Sequence, residues 1–139
     1  MSITVRVISP AEIILETTAE EVILPSITGQ LGILPNHVPL LTGLDIGVLR
    51  YFANREWNAI AVNGGFAEVE DNEVTVLVKS ATHPKDIDPE TTRKELEEAE
   101  ALLAKVWETD KQAKIQAETA IKVARAKLQA VSPTFLTAQ

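Results

Sequence analysis

The sequence predicts an α+β protein with two parts, an all-β sandwich or barrel followed by two antiparallel helices. Residues 3 to 82 alternate between apolar and polar with period two, and turn residues recur at short intervals, as in all-β domains. Residues 88 to 131 are instead rich in Ala, Glu, Lys and Leu, with no Gly or Pro after Pro89. We therefore predict a β domain over residues 1–84 and a helical domain over residues 85–139.

The β domain begins with a clear two-residue alternation. Ile3, Val5 and Val7 share one face of the first predicted strand, and a later run repeats the pattern. The later run contains Val74, Val76 and Val78. Turn signals lie at residues 9–10, 63–65 and 70–72, and the Asn-Gly-Gly of residues 63–65 predicts a hairpin turn.

The helical domain has a defined start and one internal break. Asp88 supplies a capping carboxylate, and Pro89 is tolerated at the first helical position. Thr109 and Gln112 fit a capping box, which predicts the second helix after a turn within residues 107–112. Because no glycine marks that turn, one continuous helix is the alternative.

Two apolar stripes predict how the helices face each other. Their members are Leu96, Ala99, Leu103 and Val106 on the first helix, and Ala117, Ile121, Ala124, Leu128 and Val131 on the second. We expect Ala99 to face Ala113, Ala117, Ala120 and Ala124, and Trp107 to be a packing residue near the turn. Alanines bury little area, so we hypothesise that the hairpin has a second arrangement within a few kcal/mol.

Composition and charge exclude several classes of function. The net charge is −7, and residues 1 to 87 contain no basic stripe, which argues against nucleic-acid binding. The chain lacks cysteine, so it has no disulfide, thiolate metal site or cysteine nucleophile. Within the helical domain, residues 88–110 carry eight acids and three bases, whereas residues 111–139 carry five bases and one acid. An acidic helix beside a basic one is favourable, although exposed ion pairs contribute only about 0–1 kcal/mol each.

Motifs for catalysis or metal binding are missing. The sequence has no phosphate-binding glycine loop, no HExxH and no nucleophile elbow. His37 and His83 are far apart, and Glu68, Glu70 and Asp71 fit outward-facing strand residues that lead into a turn. We therefore predict a protein that is not an enzyme and that carries no metal or cofactor.

The stretch from Val22 to Leu44 contains no charged residue, although it contains several glycines and prolines. Those breakers exclude a membrane-spanning helix, and the N-terminus lacks the basic and apolar regions of a signal peptide. We expect His37 to lie on a loop flanked by Leu34, Val38, Leu40 and Leu41, and uncharged protruding loops of this kind mark contact sites.

Three longer motifs carry a family resemblance over nearly the whole chain. GQLGILPNHVPLLTGLDIGVLR, NGGFAEVEDNEVTVL and IDPETTRKELEEAEALL resemble the epsilon subunits of F-type ATP synthases, most closely those of cyanobacteria and chloroplasts. The resemblance implies a ten-stranded β-sandwich followed by a two-helix hairpin. It also implies a non-catalytic rotor subunit that binds the gamma subunit and the c-subunit ring and inhibits wasteful ATP hydrolysis through its helices.

The same resemblance implies roles for individual residues. Gln30, Asn36, His37 and Leu40 would face the c-ring, whereas Lys122, Arg125 and Lys127 would lie on the inhibitory helix that approaches the alpha/beta catalytic head. Positive charge suits a contact with acidic segments of that head. The protein would be peripheral, on the cytoplasmic or stromal side of the thylakoid membrane or on the bacterial inner membrane, and attached through its partners.

One family motif is degenerate in this chain. Some bacterial relatives bind ATP through Ile/Leu-Asp-x-x-Arg-Ala, and here Ile87 and Asp88 match but Thr91 and Thr92 replace the arginine and alanine. Arg93 is displaced by two residues, which turns it by about 200° on a helix. We therefore expect ATP binding to be weak or absent.

A second reading is a free-standing β-sandwich that binds a small ligand or carbohydrate and dimerises through the helical hairpin. The sequence has only two Trp and one Tyr, which disfavours the aromatic platforms of sugar sites. Co-purification with gamma distinguishes the two readings.

Overall fold

A computed structural model describes residues 2–132, so residues 133–139 of the predicted helical domain lie outside the described residues. The described chain has eight strands, a short 3₁₀ turn at Pro84–Asp86 and two helices. The strands are β1 (Ile3–Ile8), β2 (Ile13–Ala19), β3 (Glu21–Ser26), β4 (Gly29–Ile33), β5 (Leu40–Ala53), β6 (Glu56–Glu70), β7 (Glu73–Val78) and β8 (Ala81–Thr82). The helices are α1 (Pro89–Lys105) and α2 (Lys111–Ala130).

The strands form one hydrogen-bonded sheet that folds over into a sandwich. Their order is β2-β1-β7-β6-β5-β3-β4, with β8 paired to β6, and only β1 and β7 are parallel. The alternation predicted for β1 is confirmed, since Ile3, Val5 and Val7 are fully buried. Val74, Val76 and Val78 of β7 are buried in the same core. Each such side chain contributes roughly 1.5–3 kcal/mol when it leaves water.

Two long strands belong to both layers of the sandwich. Residues 40–44 of β5 pair with residues 65–69 of β6, and residues 46–53 then pair with residues 56–63. Asp45 has no partner in that ladder and marks the bend. The first layer contains β2, β1 and β7, together with residues 65–70 of β6 and 40–44 of β5. The second layer contains β8, β3 and β4, together with residues 56–63 of β6 and 46–53 of β5. The expected count of ten strands is therefore wrong, because β5 and β6 continue across the bend.

The predicted hairpin turn at residues 63–65 is also wrong. Asn63, Gly64 and Gly65 lie inside β6, where Gly64 (φ +67°) and Gly65 (φ +139°) provide the backbone freedom for the bend. The hairpin turns of this region lie elsewhere, at residues 54–55 and 71–72. All four turn residues have positive φ, as a two-residue type I′ turn requires.

The two predicted helices are confirmed. The Asp88 carboxylate accepts the backbone N–H of Glu90 at 3.2 Å, so α1 starts where the sequence predicts. The cap of α2 is Asp110, which accepts from the N–H of Ala113 at 3.1 Å, and not Thr109. The helix begins one residue later than predicted, and a carboxylate satisfies the same N–H group as a threonine hydroxyl would.

The facing stripes of the helices are largely as predicted. Ala99 of α1 and Ala117, Ile121 and Ala124 of α2 are buried. Ala120 is exposed instead, because three residues on a helix place it about 60° to one side of Ala117. Arg125 of α2 forms an ion pair with Glu100 of α1, with 3.6 Å between Nη2 and Oε2.

A second face of α2 packs on the second layer of the sandwich. Ala126 and Ala130 lie in a small apolar cluster with Val48, Ala59 and Ala61, so the hairpin is folded against β5 and β6. Lys122 and Asp45 add one long contact at 4.0 Å. The contact area consists mainly of alanine side chains, which bury little apolar surface.

We expect Gly65→Ala to destabilise the protein by about 3 kcal/mol or more, because a β-carbon there would overlap the carbonyl oxygen of Leu77 and φ of +139° is unfavourable for alanine. Urea unfolding measures the change. Gly32→Ala is the matched control, since a β-carbon at Gly32 meets open space. Equal stability of the two variants would contradict the role assigned to Gly65.

Candidate partner-binding surfaces

A rigid turn forms the loop between β4 and β5. The N–H of His37 donates to the carbonyl of Leu34 at 3.2 Å, with Pro35 and Asn36 as the central residues. Asn36 has φ +67°, and proline followed by a residue with positive φ is typical of a type II turn.

Asn72, which sequence reasoning missed, ties this loop to the turn between β6 and β7. The backbone N–H of Asn36 donates to Oδ1 of Asn72 at 2.6 Å, and Nδ2 of Asn72 returns a longer bond of 3.5 Å to Oδ1 of Asn36. The Asn72 carbonyl in turn accepts from Thr4 at 2.9 Å. The loop is thus fixed to the body of the sandwich. In the sequence, the only sign of Asn72 was its place in a turn signal.

The predicted c-ring residues differ in how exposed their side chains are. Gln30 and Asn36 are exposed, and His37 is half-exposed with Nδ1 at 2.7 Å from the Val38 carbonyl. Leu40 is partly buried and packs against the sandwich core, and its predicted contact with the c-ring stays a prediction. The apolar neighbours Leu34, Val38 and Leu41 are 57%, 70% and 68% exposed. We call Leu34, Asn36, His37, Val38 and Leu41 the end surface.

A second apolar surface runs across the outer face of the first layer. Phe66 pairs with Gly43 on one side and Leu77 on the other, and Leu77 pairs with Ile8, which pairs with Ile13. The row extends to Ile27, whose N–H donates to the Gly43 carbonyl at 3.1 Å. Its most exposed members are Ile13, Ile27, Phe66 and Leu77. We call Ile8, Ile13, Ile27, Gly43, Phe66 and Leu77 the outer row.

The sequence did not reveal the outer row because its six members lie on six separate segments, namely five strands and the turn after β3. Only the strand register brings them together. Helix α2 packs on the second layer and leaves the row uncovered. Contiguous exposed apolar side chains of this kind are typical of a surface that another protein covers.

The three cations predicted on the inhibitory helix are on α2. Lys122 and Arg125 are exposed and already form the long ion pairs with Asp45 and Glu100. Lys127 is half-buried and lines a small cavity between the start of α1 and α2. The side chains of both ion pairs are 50–60% exposed. Each pair therefore contributes only about 0–1 kcal/mol.

That small cavity corresponds to the degenerate ATP motif. Its volume is about 150 Å³, whereas sites for small ligands usually have about 300–1,000 Å³. Its charged residues are Asp86, Asp88, Glu95 and Lys127. Thr91, at the arginine position of the motif, donates its hydroxyl to Oδ2 of Asp88 at 2.7 Å. Ile87 and Thr92 are buried. Three carboxylates and one ammonium group make a poor environment for a triphosphate.

Hydrogen bonds hold the pKa of Asp88 below its ordinary value. The main cause is the Thr91 hydroxyl, and the Glu90 N–H adds to it. Both donors favour the charged carboxylate. Asp88 therefore acts as a helix cap at neutral pH.

The tip of the hairpin differs from the prediction for Trp107. Its side chain is 81% exposed, so it is not a packing residue. Val106 follows α1 as its C-cap in an extended conformation, and its N–H donates to the carbonyl of Leu103, so Trp107 lies beyond the end of the helix. Leu102 and Ile115 are exposed on the helices next to this turn.

The described part of the chain has no group of three His, Asp or Glu side chains placed to hold a metal ion. Neither described helix is long and apolar enough to cross a membrane.

Comparison with known proteins agrees with this architecture. The family model described as "ATP synthase, Delta/Epsilon chain, beta-sandwich domain" matches residues 2–84, and the "long alpha-helix domain" of the same chain matches residues 85–132. The chain belongs to the ATP synthase delta/epsilon family. The two family models describe a β-sandwich domain followed by a helical domain, and the described residues have the same order.

Individual relatives are similar over almost their whole length. The ATP synthase epsilon chain of a Synechococcus species is 58% identical, over 94% of this chain and 95% of the relative. That of Nostoc punctiforme is 54% identical, over 94% and 96%. The resemblance to the cyanobacterial epsilon subunits is thereby confirmed.

Solved structures show the same fold. A chain in the Euglena gracilis mitochondrial ATP synthase, "OSCP/F1/c-ring in rotational state 1", has a TM-score of 0.81 and 25% identity. The match covers 94% of this chain and 82% of the Euglena chain. A chain of the Tetrahymena thermophila mitochondrial enzyme shares the fold with a TM-score of 0.59 and 14% identity, over 95% and 98% of the two chains.

We expect Asn72→Gly to loosen the loop at residues 34–37 without unfolding the sandwich, since glycine keeps the positive φ of residue 72 but removes the acceptor for Asn36. The loss of stability should be about 1 kcal/mol, with about fivefold faster hydrogen exchange at the Asn36 amide. Asn72→Asp retains the acceptor and is the control. Unchanged exchange in Asn72→Gly would show that the bond does not fix the loop.

We also expect a pH-dependent stability difference between the wild type and Asp88→Asn. The folded pKa of Asp88 is lowered, so its contribution is complete above the ordinary value of 3.8 and is lost as the pH falls through the lower folded value. Asparagine caps the helix but does not titrate. Urea unfolding from neutral pH to about pH 2.5 should show the difference shrinking only at the acid end. A difference that changes between pH 5 and 7 would assign the effect to another group.

Proposed function

We propose that this family member is a non-catalytic rotor subunit of a proton-translocating F-type ATP synthase. It couples rotation of the c-ring to the catalytic head and inhibits ATP hydrolysis through its helices. The observation that carries the proposal is that the sandwich has two uncharged surfaces, the end surface and the outer row, which its own hairpin leaves uncovered. The similar Euglena chain comes from an F1/c-ring assembly, which supports it.

The end surface is the proposed contact with the c-ring, together with Gln30. Its turn and the Asn36–Asn72 hydrogen bond hold the loop in place. A subunit that transmits torque needs a contact surface that does not deform under load. The lack of charge from Val22 to Leu44 fits a partner surface that is polar but uncharged. His37 is the residue of this surface whose substitution by a charge tests the contact most directly.

The outer row is the proposed contact with gamma. Phe66 and Leu77 are 49% and 39% exposed within the sheet, and Ile27 is 67% exposed at the end of the row. Covering these side chains removes apolar area from water, which is the main favourable term in permanent subunit contacts. The end surface and the outer row meet on the first layer, where Leu41 and Gly43 are neighbours on one face of β5.

Inhibition by the helices requires that α2 leaves the sandwich. On α2, the interface with the second layer contains Ala126 and Ala130, with the partly buried Val131 packed against the same cluster. One contact of 4.0 Å between Lys122 and Asp45 adds to it. Full burial of a larger apolar side chain contributes roughly 1.5–3 kcal/mol, and alanine contributes less. Release of α2 therefore costs less than separating an interface built from large apolar side chains. It frees Lys122 and exposes more of Lys127, whose charges suit acidic segments of the catalytic head.

The regulation proposed here does not use ATP bound to this chain. The small cavity at Asp88, its three carboxylates and the Asp88–Thr91 hydrogen bond all oppose a triphosphate. Lysine at position 127 also lacks the bidentate fork of arginine.

The proposed location follows from the partners. The chain lies on the cytoplasmic or stromal side of a thylakoid membrane, or on the bacterial inner membrane, and is peripheral because gamma and the c-ring attach it. The alternative, a free-standing ligand-binding module, is not favoured by membership of the delta/epsilon family.

We expect deletion of residues 88–139 to leave gamma binding intact while raising the ATPase activity of the isolated catalytic head several-fold, because the helices and their cations are removed and the sandwich surfaces remain. Circular dichroism checks that the sandwich still folds after Val48, Ala59 and Ala61 lose their cover. The full-length variant His37→Glu is the contrast, since it should impair coupling to the ring without activating the head. Loss of gamma binding in the truncated chain would reverse the assignment of the two halves.

We expect isothermal titration to detect no ATP binding below about millimolar concentration, because the cavity is small and acidic. The variant Thr91→Arg/Thr92→Ala restores the motif residues and should bind ATP more tightly than the wild type. Micromolar affinity of the wild type would refute the proposal. Such a result leaves the rotor assignment untouched, since that rests on the sandwich.

A further inference from the structure

The two edges of the folded sheet differ in how they are protected. The edge strand β2 has an irregular register opposite Ile8, a charged side chain at Glu16 and a capped carbonyl at Ile14. Glu16 accepts from Arg6 at 2.9 Å, and Nε2 of His83 donates to the Ile14 carbonyl at 3.0 Å. Bulges, charges and covered carbonyls are the usual means by which proteins prevent another strand from pairing at an edge.

The opposite edge strand, β4, has none of these features. Its five residues, Gly29–Ile33, contain no charge and no proline. Its register with β3 runs without a break from Ser26↔Gly29 to Val22↔Ile33. A regular, uncharged and uncapped edge is a template for strand addition.

The position of Pro25 shows which backbone groups of β4 point outward. Proline has no N–H to donate, and the ladder between β3 and β5 is interrupted between Ile23 and Ser26, so the nitrogen of Pro25 faces that interruption. The pair Pro25↔Gln30 is then a non-hydrogen-bonded pair, and by alternation so is Ile23↔Gly32. The N–H and C=O groups of Gln30 and Gly32 therefore point away from the sheet.

We propose that the free edge of β4 binds an extended, uncharged segment of the gamma subunit by strand addition. The main-chain groups of Gln30 and Gly32 form the hydrogen bonds, and the side chain of Gln30, which stands on the face of the sheet, remains available to other partners. This inference rests on the proposed function, since it names how one of the two rotor partners attaches.

Continuity with the outer row is the reason for choosing gamma. The outer row ends at Ile27, in the turn between β3 and β4, and β4 begins two residues later. A partner that covers the outer row therefore reaches the start of this edge. β4 and its flanking turns contain no charged residues, so an uncharged segment of the partner matches this edge.

Hydrogen exchange of the full-length chain, free and bound to gamma, tests the proposal without substitution. Exchange is carried out in the complex and read by NMR after dissociation. The amides of Gln30 and Gly32 should become protected on binding, whereas those of Leu31 and Ile33, already paired with β3, should change little. A stable complex in which the Gln30 and Gly32 amides exchange as in the free chain overturns strand addition.

A matched pair of variants at Gly32 gives a second test. Gly32→Pro removes an outward N–H while leaving the bonds to β3 intact, and proline is tolerated on edge strands. It should weaken gamma binding about tenfold or more. Gly32→Ala keeps the N–H and adds a methyl group in open space, so it should bind as the wild type. Thermal unfolding confirms that both variants fold.

The outcomes separate this inference from the proposed function. If the wild type itself does not bind gamma, the proposed function fails. If the wild type binds and Gly32→Pro binds equally well, only strand addition fails. Equal weakening by Gly32→Ala also overturns it, because the effect is then steric. Protection of Gln30 and Gly32 that rises with protein concentration in the absence of gamma overturns gamma as the occupant and assigns the edge to a second copy of the chain.

Discussion

The continuous pairing of β5 with β6 is the constraint on which the rest of the structure depends. Their ladder runs through the bend opposite Asp45, so each strand contributes one half to each layer. The first layer carries the outer row and joins the end surface, while the second layer supports α2 through Val48, Ala59 and Ala61. A change at the bend therefore alters both the partner surfaces and the seat of the hairpin, although these lie on opposite sides of the sandwich.

Local sequence patterns predicted the strands and helices correctly where a pattern is compatible with only one kind of structure. Alternation placed Ile3, Val5 and Val7 in the core, and the Asp88–Pro89 pair placed the start of α1, because both depend on neighbouring residues only. The Asn-Gly-Gly of residues 63–65 gave a wrong prediction of a hairpin turn, because glycines with positive φ occur at a bend within a strand as well as in a turn. The true turn at residues 54–55, Asn-Arg, has no glycine and gave no such signal.

The candidate surfaces were predictable only in part. The uncharged stretch indicated the loop around His37, since the absence of charged residues can be seen directly in the sequence. Asn72, 36 residues from its partner Asn36, and the outer row depend on strand register and so needed the folded chain. The packing of Ala126 and Ala130 of α2 on the sandwich could not be predicted either, because alanines at helical spacing do not indicate which distant surface they contact.

The placement of the only two tryptophans has a practical consequence. Trp57 packs against Phe52 in the sandwich, with 5.4 Å between ring centroids, whereas Trp107 projects from the hairpin tip and is 81% exposed. Their fluorescence emission should therefore differ in wavelength and in access to soluble quenchers. Each half of the molecule thus carries an intrinsic optical reporter, and replacing either indole with phenylalanine isolates the signal of the other without an attached dye.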